Sequence, residues 1–355
     1  MFDIPTPALL VDLDAMEDNI EQMARYFASR KAKLRPHAKT HKSPFLAWKQ
    51  LEAGAIGITC AKLSEAEILI QGGIQDILLA NQVTHPRKIR RLAGLARHSR
   101  IIVACDSLAN ARDLAEAAKA AGASLNVLIE VDVGLGRSGL RTTDDVIQLA
   151  RYIQGSPSLK FKGIMGYEGH CVFIKDFAAR KVEGEKSNAR LVAVRDALIQ
   201  AGIPVDIVSA GGTGTYNIAG DFPGITEVQA GSYLFMDSRY LELDLGFKSA
   251  LTVLATVVSR PEPHIAVLDA GKKAITEEFG LPQVVNLPGA ELIRLSEEHG
   301  VLKLAPEAQD LKVNDQVQLI PSHGCTTINL HDRYYGIRKG DPEITWPVAA
   351  RGCFI

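Results

Sequence analysis

Between residues 30 and 235, short apolar runs rich in Val and Ile alternate with longer amphipathic stretches. The runs are Lys33–His37, Ala55–Cys60, Asp76–Asn81, Arg100–Cys105, Leu125–Val131, Phe161–Tyr167, Asp206–Ala210 and Thr226–Gln229. Stretches such as Leu63–Gln71, Pro86–Arg97, Leu108–Ala121 and Ala178–Ala201 carry apolar residues at helical spacing. Strands that alternate with helices form a parallel sheet, and nearly continuous apolar strands have both faces buried. About eight such units close a (β/α) barrel. An open, doubly wound sheet is the alternative, but no Gly-x-Gly-x-x-Gly follows the first strand.

After Gly246 the pattern changes. Ala250–Ser259, His264–Asp269, Gln316–Pro321, Tyr334–Arg338 and Ile344–Val348 read as strands separated by Gly and Pro turns, with little helical periodicity. The opening run Ala8–Asp12 precedes a helix near Leu13–Ser29 and is expected to pair with this second region. The predicted architecture is α/β: an N-terminal TIM-like (β/α)8 barrel over 13–245 and an all-β domain made from 1–12 and 246–355.

Composition narrows the function. A chain of 355 residues with 46% hydrophobic and 23% charged residues suits a soluble two-domain protein. Lys plus Arg number 40 and Asp plus Glu 41, so the formal net charge of −1 gives no reason to expect a nucleic-acid partner. The first residues have neither a basic nor an apolar leader region, and the apolar runs are strand-length, so no membrane partner is expected. Five scattered cysteines fit reduced thiols in a cytoplasmic protein.

Barrel active sites lie at the C-terminal ends of the strands. The first strand runs into Pro36-His37-Ala38-Lys39-Thr40-His41-Lys42, and later ones end in Asp132–Gly139, Tyr167-Glu168-Gly169-His170, Gly211–Thr215 and Gly231-Ser232. Lys39 follows a buried strand, where an amine is desolvated and suited to Schiff-base chemistry; Lys42 and Lys62 are local rivals. Gly211-Gly212-Thr213-Gly214-Thr215 and Gly231-Ser232 offer backbone and hydroxyl donors to a phosphate, although such a glycine run is also an ordinary tight turn.

These motifs, with Gln229–Asp237, Leu268-Asp269-Ala270-Gly271 and Pro321-Ser322-His323-x-Cys325-x-Thr327-x-Asn329-Leu330, stand in the order found in the D-threonine aldolase and D-serine dehydratase family. The chain resembles that family along its whole length. The resemblance implies the alanine racemase-like, fold type III architecture and pyridoxal 5'-phosphate as cofactor. It implies that Lys39 carries the cofactor, that Arg137 and Tyr167 meet its ring, and that Gly212, Thr213, Gly231 and Ser232 hold its phosphate. It also implies a homodimer whose active site borrows from the partner's β-domain, and a divalent metal, zinc or manganese, bound by His323 and Cys325. In an extended segment residues i and i+2 point to one side, and imidazole with thiolate suits zinc. Aldolases of the family carry an Asp where Cys325 stands, and dehydratases a Cys. The aldolases also carry a His where Glu168 stands, so Glu168 and His170 are both candidate bases for a β-hydroxyl proton.

The implied substrate is a D-β-hydroxy-α-amino acid. Retro-aldol cleavage to glycine and an aldehyde is the leading expectation, with Asn329-Leu330-His331-Asp332 following the aldolase form. β-Elimination of D-serine or 3-hydroxy-D-aspartate to a 2-oxo acid and ammonia is the alternative. An amino-acid racemase and a non-catalytic pyridoxal-phosphate-binding protein stand further off. Metal dependence separates the racemase from the lyases.

Overall fold

In the computed structural model, which describes residues 2–355, the chain divides into two compact units. One holds residues 23–39, 44–231 and 353–355; the other holds residues up to Gln22, 40–43 and 232–352. The elements begin with β1 (Ala8–Asp12), α1 (Leu13–Ala28), β2 (Lys33–Leu34), α2 (Pro44–Glu52), β3 (Ile58–Cys60), α3 (Leu63–Gln71), β4 (Asp76–Gln82) and α4 (Pro86–Leu95). They continue with β5 (Arg100–Cys105), α5 (Leu108–Ala120), β6 (Leu125–Glu130), α6 (Thr143–Gly155), β7 (Leu159–Met165), α7 (Phe177–Gln200), β8 (Ile207–Ala210), α8 (Tyr216–Ala219) and β9 (Glu227–Val228).

Strands β2 to β9 form an eight-stranded parallel sheet in the order β2-β9-β8-β7-β6-β5-β4-β3. The ring closes beyond the end of β2, where Thr59 N–H donates to Pro36 O at 2.8 Å and Ala38 N–H to Thr59 O at 2.7 Å. The central strands are apolar on both faces, as a helix-covered parallel sheet requires: five of six residues of β5 are buried. Leu78, Ile102, Ala104, Leu128 and Met165 form one core cluster across β4 to β7. Side-chain caps start the helices, with Ser107 accepting from Asn110 N–H at 3.2 Å for α5 and Asp176 from Ala179 N–H at 2.7 Å for α7. The barrel and β-rich composition agree with the architecture read from the periodicity.

The other unit adds α9 (Ser238–Leu241), β10 (Leu251–Glu262), β11 (Ile265–Leu268), β12 (Gln283–Val285), β13 (Ala290–Leu295), β14 (Gly300–Leu304), β15 (Gln316–Ile320), α10 (Gly324–Ile328), β16 (Arg333–Arg338) and β17 (Asp341–Pro347). Its sheet runs β13-β14-β11-β10-β1-β16-β17, with β15 paired to β10 and β12 to β15. The N-terminal β1 does pair here, antiparallel to β10 and parallel to β16. Ile4, Ala8, Leu10, Leu254 and Ile337 pack together, and Tyr334 stacks on Trp346 with ring centroids 5.1 Å apart. Three strands, β12 to β14, have no counterpart in the sequence reading. β12 and β13 expose much of their length, so their apolar pattern is broken. Among the described residues no helix is long and apolar enough to cross a membrane.

Candidate functional site

The barrel unit gathers several candidate residues around Tyr167, two residues beyond β7. Lys39 lies in the turn after β2. Its Nζ is 5.9 Å from the Tyr167 ring centroid, and the Arg137 guanidinium carbon is also 5.9 Å from that centroid. Both distances are within the reach of a cation–π attraction. The Lys39 side chain is exposed, not desolvated as the apolar strand before it suggested, although its turn neighbours Ala38, Thr40 and His41 are buried. Of its rivals, Lys42 is buried at a backbone φ of +52°, and Lys62 is exposed at the start of α3.

Asp132 shapes the loop that carries Arg137. Its Oδ1 accepts from Gly134 N–H and Gly136 N–H, each at 3.0 Å, a turn closed by a short acidic side chain. Burial alone would raise the Asp132 pKa, but these N–H groups and Arg141 outweigh it and hold the carboxyl below its ordinary value. Arg137 Nη2 lies 4.0 Å from Oε1 of buried Glu130, which also accepts from the Ser138 hydroxyl at 2.9 Å.

Tyr167 lies between two glycines. A Cβ on Gly169 would come within 2.6 Å of ring Cε1, and one on Gly212 within 3.1 Å of Cε2. The two candidate bases that follow Tyr167 differ sharply. His170 is exposed, beside Gly134. Glu168 is fully buried: its Oε2 accepts from Gly211 N–H at 3.2 Å and its Oε1 from the Thr215 hydroxyl at 2.5 Å. Burial raises the Glu168 pKa, while Thr215, Gly211 and His170 pull it back. The carboxyl therefore faces inward, away from the rim position that a substrate base needs. The glycine-rich turn also departs from an open anion nest, since Gly212 N–H donates to Thr215 Oγ1 at 3.2 Å and Gly211 N–H to Glu168. Thr213 is buried at the centre of this turn, and Gly231 is buried after β9.

The β-rich unit holds the other candidates. Ser232 is half-buried and opens a short 3-10 turn, its carbonyl accepting from Met236 N–H at 2.8 Å. His323 caps α10, and Cys325 lies in the first turn of that helix. The extended geometry expected for His323–Cys325 therefore ends at His323. The two side chains still lie close enough for Cys325 to raise the pKa of the imidazole. Burial would lower the His323 pKa, but Cys325, Asp237 and Glu278 outweigh it and bring it to about 9.

Neighbours that the sequence reading missed hold this pair. Glu278 Oε1 contacts His323 Nδ1 and accepts from the Thr326 hydroxyl at 2.6 Å. Phe279 stacks on the imidazole with centroids 4.7 Å apart. The Cys325 thiol donates to Thr40 Oγ1 at 3.4 Å. Asp237 is buried and binds twice: Oδ2 accepts from Gly324 N–H at 3.0 Å and Oδ1 from Tyr240 N–H at 3.1 Å, so one carboxyl fixes the starts of α9 and α10. Its place at the end of the Gln229–Asp237 motif was the available signal. His331, by contrast, is tied to the Ala274 carbonyl at 2.7 Å, and Asp269 to Thr6 and the Thr256 N–H.

An amine, a guanidinium, an aromatic plate and a glycine turn suit a planar aldehyde that bears a phosphate. Imidazole and thiol suit a borderline-soft divalent ion with positions left for substrate oxygens. Among the described residues no cluster of three or more His, Cys, Asp or Glu has metal-binding geometry.

The chain was compared with known proteins. The alanine racemase N-terminal domain model matches residues 11–239, and a serine dehydratase domain model matches 250–337. A 3-hydroxy-D-aspartate aldolase of Paracoccus denitrificans is 39% identical, over 99% of this chain and 93% of that protein. A D-threo-3-hydroxyaspartate dehydratase of Delftia sp. is 31% identical over 97% of each. The crystal structure of D-threonine aldolase from Filomicrobium marinum superposes with a TM-score of 0.97 at 36% identity, over 99% of this chain and 97% of that one.

Proposed function

The chain belongs to the D-threonine aldolase and D-serine dehydratase family of alanine racemase-like proteins, and from that premise we propose that it is a pyridoxal-phosphate- and divalent-metal-dependent lyase cleaving D-β-hydroxy-α-amino acids to glycine and an aldehyde. The observation that carries this reading is the rim around Tyr167, where the Lys39 amine and the Arg137 guanidinium each stand 5.9 Å from one aromatic face beside a glycine turn.

Each residue has a separate task. Lys39 supplies the amine that carries the cofactor. Tyr167 and Arg137 bound its ring, Thr213, Gly231 and Ser232 supply donors for its phosphate, and Gly212, whose N–H is taken by Thr215, lets the turn approach it without a side chain in the way. When bound, the cofactor withdraws electrons from the substrate's α-carbon. His323 and Cys325 would hold the divalent ion, which would supply Lewis acidity at the β-hydroxyl. His170, exposed on the barrel unit, accepts the β-hydroxyl proton through its imidazole. Loss of that proton is what lets the Cα–Cβ bond break.

A second reading is favoured by Cys325, since a cysteine stands there in the family's dehydratases. In that case the Lys39 amine takes the α-proton and hydroxide leaves from the β-carbon. Products separate the two. Under the proposed reading D-threonine yields glycine and acetaldehyde, and 3-hydroxy-D-aspartate yields glycine and glyoxylate. A 2-oxo acid and ammonia instead make the protein a dehydratase. The protein is further proposed to be a cytoplasmic homodimer; light scattering that finds a monomer at full activity removes the dimer.

A further inference from the structure

Glu168 stands between Tyr167 and His170 in sequence, yet it has no exposure at all. Its carboxyl closes a chain of hydrogen bonds under the glycine-rich turn. Gly211 N–H donates to Oε2, the Thr215 hydroxyl donates to Oε1, and the same hydroxyl accepts from Gly212 N–H. The turn is thus tied at its first and last residues to the segment that follows β7, and its second residue is tied to its last. Gly211 has a φ of +80°, a left-handed backbone state that glycine adopts without strain and that lets its N–H face the carboxyl. Tyr167 packs against the other side of Gly212.

We propose that Glu168 is a positioning residue for the cofactor phosphate: its buried carboxyl fixes the Gly211–Thr215 turn from beneath, so that Thr213 meets the phosphate in one conformation. This rests on the reading that the turn holds the phosphate. A glutamate fits the task because its two oxygens take two donors at once. A glutamine satisfies both less well: its carbonyl must face Gly211 N–H, its amide then donates to the Thr215 hydroxyl, and that hydroxyl's own proton loses its acceptor. An alanine satisfies neither, and it leaves a buried N–H without a partner.

The test is a titration of cofactor-stripped protein with pyridoxal phosphate and, separately, with pyridoxal, which lacks the phosphate. Melting temperature is recorded for each variant. The wild type is expected to prefer the phosphorylated form strongly. Glu168→Ala and Thr215→Val should each cut that preference roughly tenfold while pyridoxal affinity stays within about twofold. Glu168→Gln should fall between wild type and alanine, and Thr215→Ser should retain the preference. If Glu168→Ala does not fold, Thr215→Val and Glu168→Gln carry the test. A wild type with no preference refutes the phosphate turn itself, and the proposal with it. A wild-type preference that persists in both Thr215→Val and Glu168→Gln overturns the role of Glu168 alone. So does a Glu168→Gln variant that keeps the preference but loses turnover at saturating cofactor, because the carboxyl then acts on substrate.

Discussion

Lys39, Tyr167 and Gly212 each lie within a few residues of the barrel strand that precedes them, and neighbouring strands bring them round one ring. Cys325 meets Thr40 across 285 positions of sequence, Gly324 meets Asp237 across 87, and the Tyr334 hydroxyl reaches the His41 carbonyl across 293. The barrel candidates are placed by local strand endings. The candidates of the β-rich unit are placed by distant side chains that hold a short helix start. A site of the first kind loses chemistry when its own residue changes. A site of the second kind also loses it when a supporting residue changes.

The largest expected effect breaks the barrel side. Lys39→Ala should lower turnover by on the order of 10²–10⁴-fold and remove the cofactor's visible absorbance. Borohydride reduction and peptide mapping should label Lys39, and a label on Lys42 or Lys62 moves the assignment. On the other side, Cys325→Ala should weaken divalent-metal affinity roughly 10- to 100-fold, measured by competition with a chromogenic chelator, while the cofactor absorbance stays. Chelated protein that keeps full activity removes the metal from the proposal.

A third substitution tests the distinction itself. Asp237→Ala removes one carboxyl that fixes two helix starts, and it should cost about 1–2 kcal/mol in a denaturant titration. It should also lower metal affinity, although the residue is no ligand in the proposal. Thr142→Ala removes the cap of α6 in the barrel and should leave both cofactor and metal affinity untouched. Equal effects of the two on metal binding would collapse the contrast.

The smallest effect concerns pH. Burial raises the Glu168 pKa above its ordinary 4.5, so the folded chain holds that proton more tightly than the unfolded chain does. The resulting stabilisation is complete below 4.5 and is lost as pH rises through the raised value. Glu168→Gln should flatten this fall, seen as a smaller difference between urea midpoints at pH 5 and pH 8. An unchanged slope assigns it to other groups.

The same contrast decides what was legible in the sequence. Arg100–Cys105 and Leu63–Gln71 form as their apolar patterns dictate, because burial by adjacent elements is recorded in the residues themselves. The ends of the strands are where this fails. Tyr167 and Glu168 are adjacent, and the sequence puts both at the rim, yet only the donors of Gly211 and Thr215 turn Glu168 inward. Likewise His323-x-Cys325 reads as extended, whereas Asp237 and the carbonyl of His323, which accepts from Thr327 N–H at 3.4 Å, start a helix at Gly324. Glu278 and Phe279 carry no motif at all, and their work on His323 is visible only once the chain is folded.

Strand β1 gives the molecule a history as well as a shape. A polypeptide leaves the ribosome N-terminus first, and domains generally fold as they emerge. Residues 8–12 are made long before their neighbours, which are Leu251–Leu254 on one edge and Tyr334–Ile337 on the other. Barrel strands β2 to β9 all lie between those dates and can assemble while synthesis continues. Until Leu251–Leu254 are made, β1 therefore waits as an unpaired apolar segment, the kind of edge that invites pairing with another nascent chain. A ribosome stalled before residue 333 would display a nearly complete barrel and a strand with one edge still open.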